Sequence, residues 1–268
     1  MPTIAAEAAP STTPVVAIGG ARATIRLNRP AQHNRIEPAD LAVLHEAFDR
    51  IDSDPAIRVL VIAGTGKSFS SGYHIGALIE HQTKENAAES RDENSFERTV
   101  DRLEALRVPT IAALNGSVYG GSTDLALACD FRIGVEGMRM QMPAACLGIV
   151  YYPSGIERYV SRLGVAAAKR LFLTAEPIDA AEMLRISYLD TVVPAQELEQ
   201  QVDALAAALA SNAPLALTGL KHAINAAANG RLDRDDLQAV RTRCADSEDH
   251  AEALRAWAEK RKPVFRGR

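Results

Sequence analysis

IRVLVIAGTGKSFSSGYH, residues 57–74, reads as a buried strand running into a glycine-punctuated turn. Ile57 to Ala63 is nearly continuous in apolar residues and bounded by turn residues, as expected of a strand covered on both faces. Gly64 to His74 follows with glycines and small side chains, so the backbone can turn sharply and bring an N–H to a ligand without obstruction. A phosphate-binding P-loop is not matched, because Gly66-Lys67-Ser68 has no glycine five residues before Gly66.

Upstream of this stretch, Val15 to Ile18 and Ala23 to Leu27 are short β-branched runs separated by Gly19-Gly20, a hairpin signal. Asp40 to Ile51 carries Leu41, Leu44, Phe48 and Ile51 at helical spacing, with Pro38 near its start. Downstream, Gly76 to Arg98 is polar and reads as a helix or flap over Tyr73. A helix over Phe96 to Leu106, a strand over Thr110 to Leu114, a helix ending at Cys129 and a strand over Phe131 to Val135 follow. Alternating strands and helices predict an α/β fold with a parallel, covered sheet.

From Ile156 the pattern is helical, with helices expected over Glu157–Leu173, Asp179–Leu184, Glu197–Ser211, Leu215–Asn229 and Asp235–Lys260, interrupted by a strand at Asp190–Val193. Leu198, Val202, Leu205 and Leu209 form an apolar stripe on one of them. The expected organisation is a loose tail over residues 1–14, a core over 15–200, and a helical region over 201–268 whose apolar faces suit subunit packing.

The 268 residues are 47% hydrophobic, enough for one sizeable core, and carry a formal net charge of −4. No global basic field exists to attract a nucleic-acid backbone or an anionic membrane. Cys129, Cys146 and Cys244 are odd in number and lack metal-ligand spacing, which fits a reducing cytosol and no metal site. No apolar run approaches the ~20 residues that span a bilayer, and the Ala/Pro/Ser/Thr-rich start lacks the layout of a secretory signal. A soluble, cytoplasmic protein is expected.

A second glycine turn, NGSVYGGSTD (residues 115–124), lies between a strand and an apolar helix. Paired glycines at a helix start expose unpaired N–H groups where the helix dipole is positive, a place for an anion or a developing oxyanion.

With both turns in view the chain resembles the crotonase superfamily, the enoyl-CoA hydratase/isomerase family. The matching pieces are Leu27-Asn28-Arg29-Pro30 with Asn34, Phe69-Ser70-Ser71-Gly72, Asn115-Gly116 with Gly120-Gly121 and Asp130, Leu147-Gly148, and the tail Glu259 to Pro263 with Phe265. They occur in order and cover nearly all of the chain after its first ~15 residues. The resemblance implies a crotonase-like spiral β/β/α core, a C-terminal helical trimerisation region, and a homotrimer or a dimer of trimers. It also implies an acyl-CoA substrate, with coenzyme A entering as part of the thioester and no separate cofactor. Carried over by position, Tyr73 and Gly121 donate backbone N–H groups to the thioester oxygen, and two fixed donors would stabilise the charge of an enolate. His33, His74 and Gly76 are further candidates for contact with substrate; Trp257 and Lys260 are implied to lie near coenzyme A.

The acid/base positions depart from the pattern. Hydratases of the family use two glutamates, and the corresponding places here hold Asp124 and Ala144. Ala144 cannot transfer a proton, and Asp124 is one methylene shorter than glutamate. The stretch Leu147 to Ile156 resembles methylmalonyl-CoA decarboxylases, in which a tyrosine matches Tyr151. Decarboxylation needs no base to form the enolate, so the expected function leans to an acyl-CoA lyase that decarboxylates a malonyl-type thioester. Tyr151 would then orient the departing carboxylate through its hydroxyl. Hydration with Asp124 as the main acid/base, and a non-catalytic acyl-CoA-binding role, are the alternatives. His74 stands where the family has aspartate, and a structural hydrogen bond is its expected role.

Overall fold

The computed structural model describes residues 12–74, 76 and 95–268. Residues 1–11 of the expected tail and residues 77–94 of the expected helix or flap lie outside the described residues. The opening hairpin pairs β1 (Val15–Gly19) with β2 (Arg22–Leu27) antiparallel, and β2 then runs parallel to β3 (Val59–Gly64). The parallel run continues through β4 (Thr110–Leu114), β6 (Phe131–Val135) and β9 (Thr191–Val193), giving the order β1-β2-β3-β4-β6-β9. All six residues of β3 are buried, as its continuous apolar sequence requires.

A second, three-stranded sheet was not legible in the sequence: β5 (Val118–Tyr119), β7 (Arg139–Gln141) and β8 (Ile178–Asp179), in the order β5-β7-β8. Strands of two or three residues are too short for alternation to register. Single bridges join Ser70 to Val118 and Tyr73 to Ile36, so the first glycine turn is stitched to β5 on one side and to the chain before the first long helix on the other.

That helix, α1 (Pro38–Ser53), buries Leu41, Leu44, Phe48 and Ile51, and α2 (Phe96–Ala105) buries Val100 and Leu103 from an N-cap at Ser95. Each such side chain contributes about 1.5–3 kcal/mol on leaving water. Next come α3 (Gly121–Ala128), α4 (Pro153–Lys169), α5 (Ala180–Arg185) and α6 (Leu198–Ala210). Helix α6 spans residue 200 and buries Leu198, Val202, Ala206 and Leu209 in the main core; Leu205 is only partly buried.

Helix α7 (Pro214–Ala228) closes over the edge of α2 and β4. Lys221 is 8% exposed and donates to Val108 O at 2.9 Å while pairing with Asp130 at 2.9 Å. The single helix expected over Asp235–Lys260 is two, α8 (Arg234–Ala245) and α9 (Glu248–Ala258). Ser247 breaks it by capping α9, its hydroxyl accepting from His250 N at 3.1 Å. The last residues return to the core, where Arg58 donates to Phe265 O at 2.6 Å, and Asp249 accepts from the backbone of Arg266 and Gly267. Leu220, Ile224, Leu254 and Trp257 remain exposed on these helices.

Candidate active site

The first turn is held by side chains that stand in for missing backbone partners. Asn34, 1% exposed, donates to Thr65 O at 2.9 Å and Ser68 O at 2.8 Å, and accepts from Arg29 N at 3.0 Å. Asn115 accepts from Gly64 N and donates to Gly66 O, each at 2.9 Å. The buried Ser70 hydroxyl donates to Asn34 O at 2.7 Å and is hydrogen-bonded to the Ser122 hydroxyl at 2.5 Å, which ties this turn to the first residues of α3.

The two turns touch at their glycines. Gly72 has a φ of +101°, and a Cβ there would lie 2.8 Å from Tyr119 O and 3.4 Å from Gly121 N. Gly120 has φ 54° and ψ −136°, a region that only glycine enters cheaply. Its conformation aims the next amide, that of Gly121, off the start of α3. Gly121 N–H has no acceptor within the helix and no hydrogen bond to a described residue. A Cβ on Gly121 would be 3.6 Å from the Cβ of Tyr73, so the two residues stand side by side. At the bridge to Ile36, Gly72 O and His74 N carry the hydrogen bonds, each 2.9 Å, and the Tyr73 amide is thereby turned away from Ile36.

Phe96, which sequence reading did not single out, packs between the turns and the tyrosines. Its ring centroid is 5.1 Å from that of Tyr73 and 6.4 Å from that of Tyr152, and its edge lies against Gly121. Asp124 lies on the first turn of α3 and is fully buried. Its Oδ2 accepts from Tyr152 Oη at 2.5 Å and from Arg158 Nη1 at 2.7 Å, while Oδ1 has no hydrogen-bond partner among the described residues. Tyr151 stacks on Tyr152 with ring centroids 4.2 Å apart, and its hydroxyl donates to Tyr152 Oη at 3.1 Å. Two further tyrosines brace α3 through Thr123: Tyr159 Oη meets its hydroxyl at 2.5 Å, and Tyr188 Oη donates to its carbonyl at 2.8 Å.

Burial pushes the Asp124 carboxyl above the usual carboxylate range, against the pull of Arg158 and the Tyr152 hydroxyl. Arg158, 2% exposed, is disfavoured as a cation by burial, but Asp124 and Glu104 outweigh that and hold it charged. Asp101 also pairs with it, at 2.7 Å. Burial first, and then the charge of Asp124, raise the phenols of Tyr151 and Tyr152 well above their ordinary value, so both stay protonated. Ala144 is buried at the start of a short turn over Ala145–Leu147 and offers no proton-transferring group.

Of the residues marked in the sequence, Tyr73, Gly121, Asp124 and Tyr151 form one connected cluster, through Phe96 and Tyr152. His33, His74 and Gly76 border the first turn: His33 Nδ1 is hydrogen-bonded to Ser68 Oγ at 3.0 Å, and His74 Nδ1 pairs with Glu37 Oε2 at 2.8 Å, with Gly76 over its ring. Glu37 begins α1, so His74 fastens the turn to that helix. Trp257 on α9 is 84% exposed, and Lys260 lies two residues past the end of that helix with a φ of 55°. Arg158 and its partners Asp101 and Glu104 were missed, because nothing in the sequence of α4 distinguishes a buried arginine from the exposed ones. Among the described residues, no group of three or more His, Cys, Asp and Glu is placed to hold a metal ion. No helix among them is long and apolar enough to cross a membrane.

The profile of the enoyl-CoA hydratase/isomerase family matches residues 18–268. The chain is 34% identical over 247 residues to a crotonyl-CoA hydratase of Syntrophomonas wolfei, covering 91% of this chain and 94% of that protein. It is 31% identical over 246 residues to a 2,3-dehydroadipyl-CoA hydratase of Escherichia coli, covering 91% and 94%. Among solved structures, an enoyl-CoA hydratase/carnithine racemase from Magnetospirillum magneticum superposes with a TM-score of 0.87 at 29% identity, over 97% of each chain. An enoyl-CoA hydratase from Bacillus anthracis gives 0.83 at 30% identity, over 96% of this chain and 100% of its own. With its parallel sheet, paired glycine turns and near full-length matches, this chain belongs to the enoyl-CoA hydratase/isomerase family and has the crotonase fold.

Proposed function

We propose that the protein acts on acyl-CoA thioesters and hydrates a 2-enoyl-CoA, with the Tyr73 and Gly121 amides stabilising the enolate oxygen. The observation that carries this reading is the abutment of the two turns at Gly72, Gly121 and Tyr73, which brings two backbone amides to one place beside a buried carboxyl. Water adds its oxygen to C3, the C2=C3 electron pair moves onto the thioester oxygen, and the enolate collapses by taking a proton at C2. Backbone donors aimed at that oxygen are worth about 3 kcal/mol each in the transition state. Coenzyme A enters with the substrate.

The hydratase names of the relatives support this reaction over the decarboxylation that the Tyr151 match suggested. So does the hydrogen-bond direction at Tyr151. Its one proton is donated to Tyr152, which leaves lone pairs to meet a substrate, and lone pairs repel a departing carboxylate. Methylmalonyl-CoA decarboxylation keeps one point in its favour, the absence of a carboxylate at Ala144. Purified protein incubated separately with crotonyl-CoA and methylmalonyl-CoA, with products followed by mass, tests the two. A hydrated crotonyl product is expected, and loss of carbon dioxide from methylmalonyl-CoA without hydration would reverse the order. Exposed Leu220, Ile224 and Trp257 support burial of the C-terminal helices in a trimer, which light scattering on the purified protein measures.

A further inference from the structure

Asp124 presents a difficulty for any direct role in hydration. It has no exposed surface, its side chain is shorter than glutamate, and its Oδ2 is already occupied by Tyr152 and Arg158. The hydrogen bonds around it have a fixed sense. An ionised carboxylate only accepts, so Tyr152 must spend its single proton on Asp124; the bond between the tyrosines must then be donated by Tyr151. Every donor in the row points toward Asp124.

Resting on the hydratase reading above, we propose that Tyr151 and Tyr152 form a two-step proton wire through which buried Asp124 serves as the base and acid of the reaction, with Arg158 as a positioning residue that keeps the wire's sense. In the addition, the attacking water forms the C3–O bond and gives its proton to Tyr151 Oη. Tyr151's own proton passes to Tyr152 Oη, and Tyr152's passes to Asp124 Oδ2. Asp124 ends neutral, and the negative charge resides on the thioester oxygen between the Tyr73 and Gly121 amides. Reversal of the same three transfers returns one proton to C2 as the enolate collapses, so the sum is one water added and the wire restored. No second carboxylate is used, which accounts for Ala144.

Tyr151 Oη and Asp124 Oδ2 are joined by bonds of 3.1 and 2.5 Å, both within proton-transfer reach. The stacked rings, 4.2 Å apart at 27°, hold the hydroxyls in line, and Gly155 leaves room for both rings. Arg158 faces the carboxyl at 2.7 Å and is itself held by Asp101 and Glu104, so it can balance the charge without leaving its place. Burial favours the neutral form of Asp124, which eases the arrival of the proton.

The test is crotonyl-CoA hydration by the full-length wild type and by Tyr152→Phe, Asp124→Asn and the double variant, with acyl-CoA affinity measured calorimetrically on each. Tyr152→Phe keeps the ring stack and removes only the relay oxygen. Expected is a fall in kcat of about 10²-fold or more in each single variant, no greater fall in the double, and affinity within about threefold of wild type. Arg158→Lys should retain part of the rate and shift its pH profile. Wild-type hydration with Tyr152→Phe keeping more than half of kcat overturns the wire and leaves the hydratase reading standing, because hydration would then proceed without the relay oxygen. Wild type that leaves crotonyl-CoA unchanged overturns the hydratase reading and the wire with it.

Discussion

The two halves of the candidate site are built on different principles. The proposed oxyanion half, Gly72-Tyr73 with Gly120-Gly121, consists of backbone groups, and its demands on the sequence are steric: room for Gly72 against Tyr119 O, and a φ/ψ at Gly120 that other residues avoid. The proposed proton-transfer half, Asp124 with Tyr151, Tyr152 and Arg158, consists of side chains, each with its own charge and burial. The first half keeps the glycines of the resemblance, while the second holds Asp124 and Ala144 where the resemblance implies two glutamates. A backbone donor tolerates side-chain change around it, so one oxyanion site can be kept while the proton chemistry beside it is rebuilt.

The largest expected effect lies in the side-chain half. Arg158→Met removes the cation facing Asp124 and should cost about 3–5 kcal/mol of stability, read by urea unfolding, because the buried Asp124 carboxylate is left without a counter-charge, whereas Glu104 keeps Arg162. A loss under about 1 kcal/mol would mean that the pair is not buried as described. In the backbone half, Gly72→Val forces a β-branched side chain into a positive φ and against Tyr119 O. It should lower kcat about 10²-fold by misplacing the Tyr73 amide while the proton-transfer half keeps its fold. Near-normal turnover by that variant would show that the donors are not where the turns put them.

A smaller effect separates the halves by pH. The Asp124 carboxyl is raised in the folded state, so the folded protein binds its proton more tightly than the unfolded chain does. Its contribution to stability is complete below the unfolded pKa and is lost as pH rises through the folded value, with a slope of at most about 1.4 kcal/mol per pH unit. Asp124→Asn should remove that slope in unfolding measured as a function of pH, and Gly72→Val should leave it. The smallest effect is at the margin of the first turn. His74→Gln breaks a half-exposed pair with Glu37 and should change stability by no more than about 1 kcal/mol in thermal unfolding.

The backbone half was legible in the sequence because glycines after a buried strand leave a pattern that survives without coordinates. Strands β3, β4 and β6 and the helices that alternate with them were read from it, and Tyr73 and Gly121 were marked through the family resemblance. The proton-transfer half was only half legible. Asp124 and Tyr151 were marked by position, but the direction of their hydrogen bonds depends on Tyr152 and on Arg158, 34 residues from Asp124 along the chain. Burial of an arginine has no periodic signature. The β5-β7-β8 sheet was missed because strands of two or three residues carry no pattern, and the break at Ser247 because an N-cap inside a helical stretch resembles any polar surface residue.

The central claim, that the protein hydrates an enoyl-CoA thioester, is tested most directly by product analysis with crotonyl-CoA. Wild-type protein in ¹⁸O-labelled water is expected to yield 3-hydroxybutyryl-CoA carrying the label at C3. Intact crotonyl-CoA, in a sample that still binds the thioester, would contradict it.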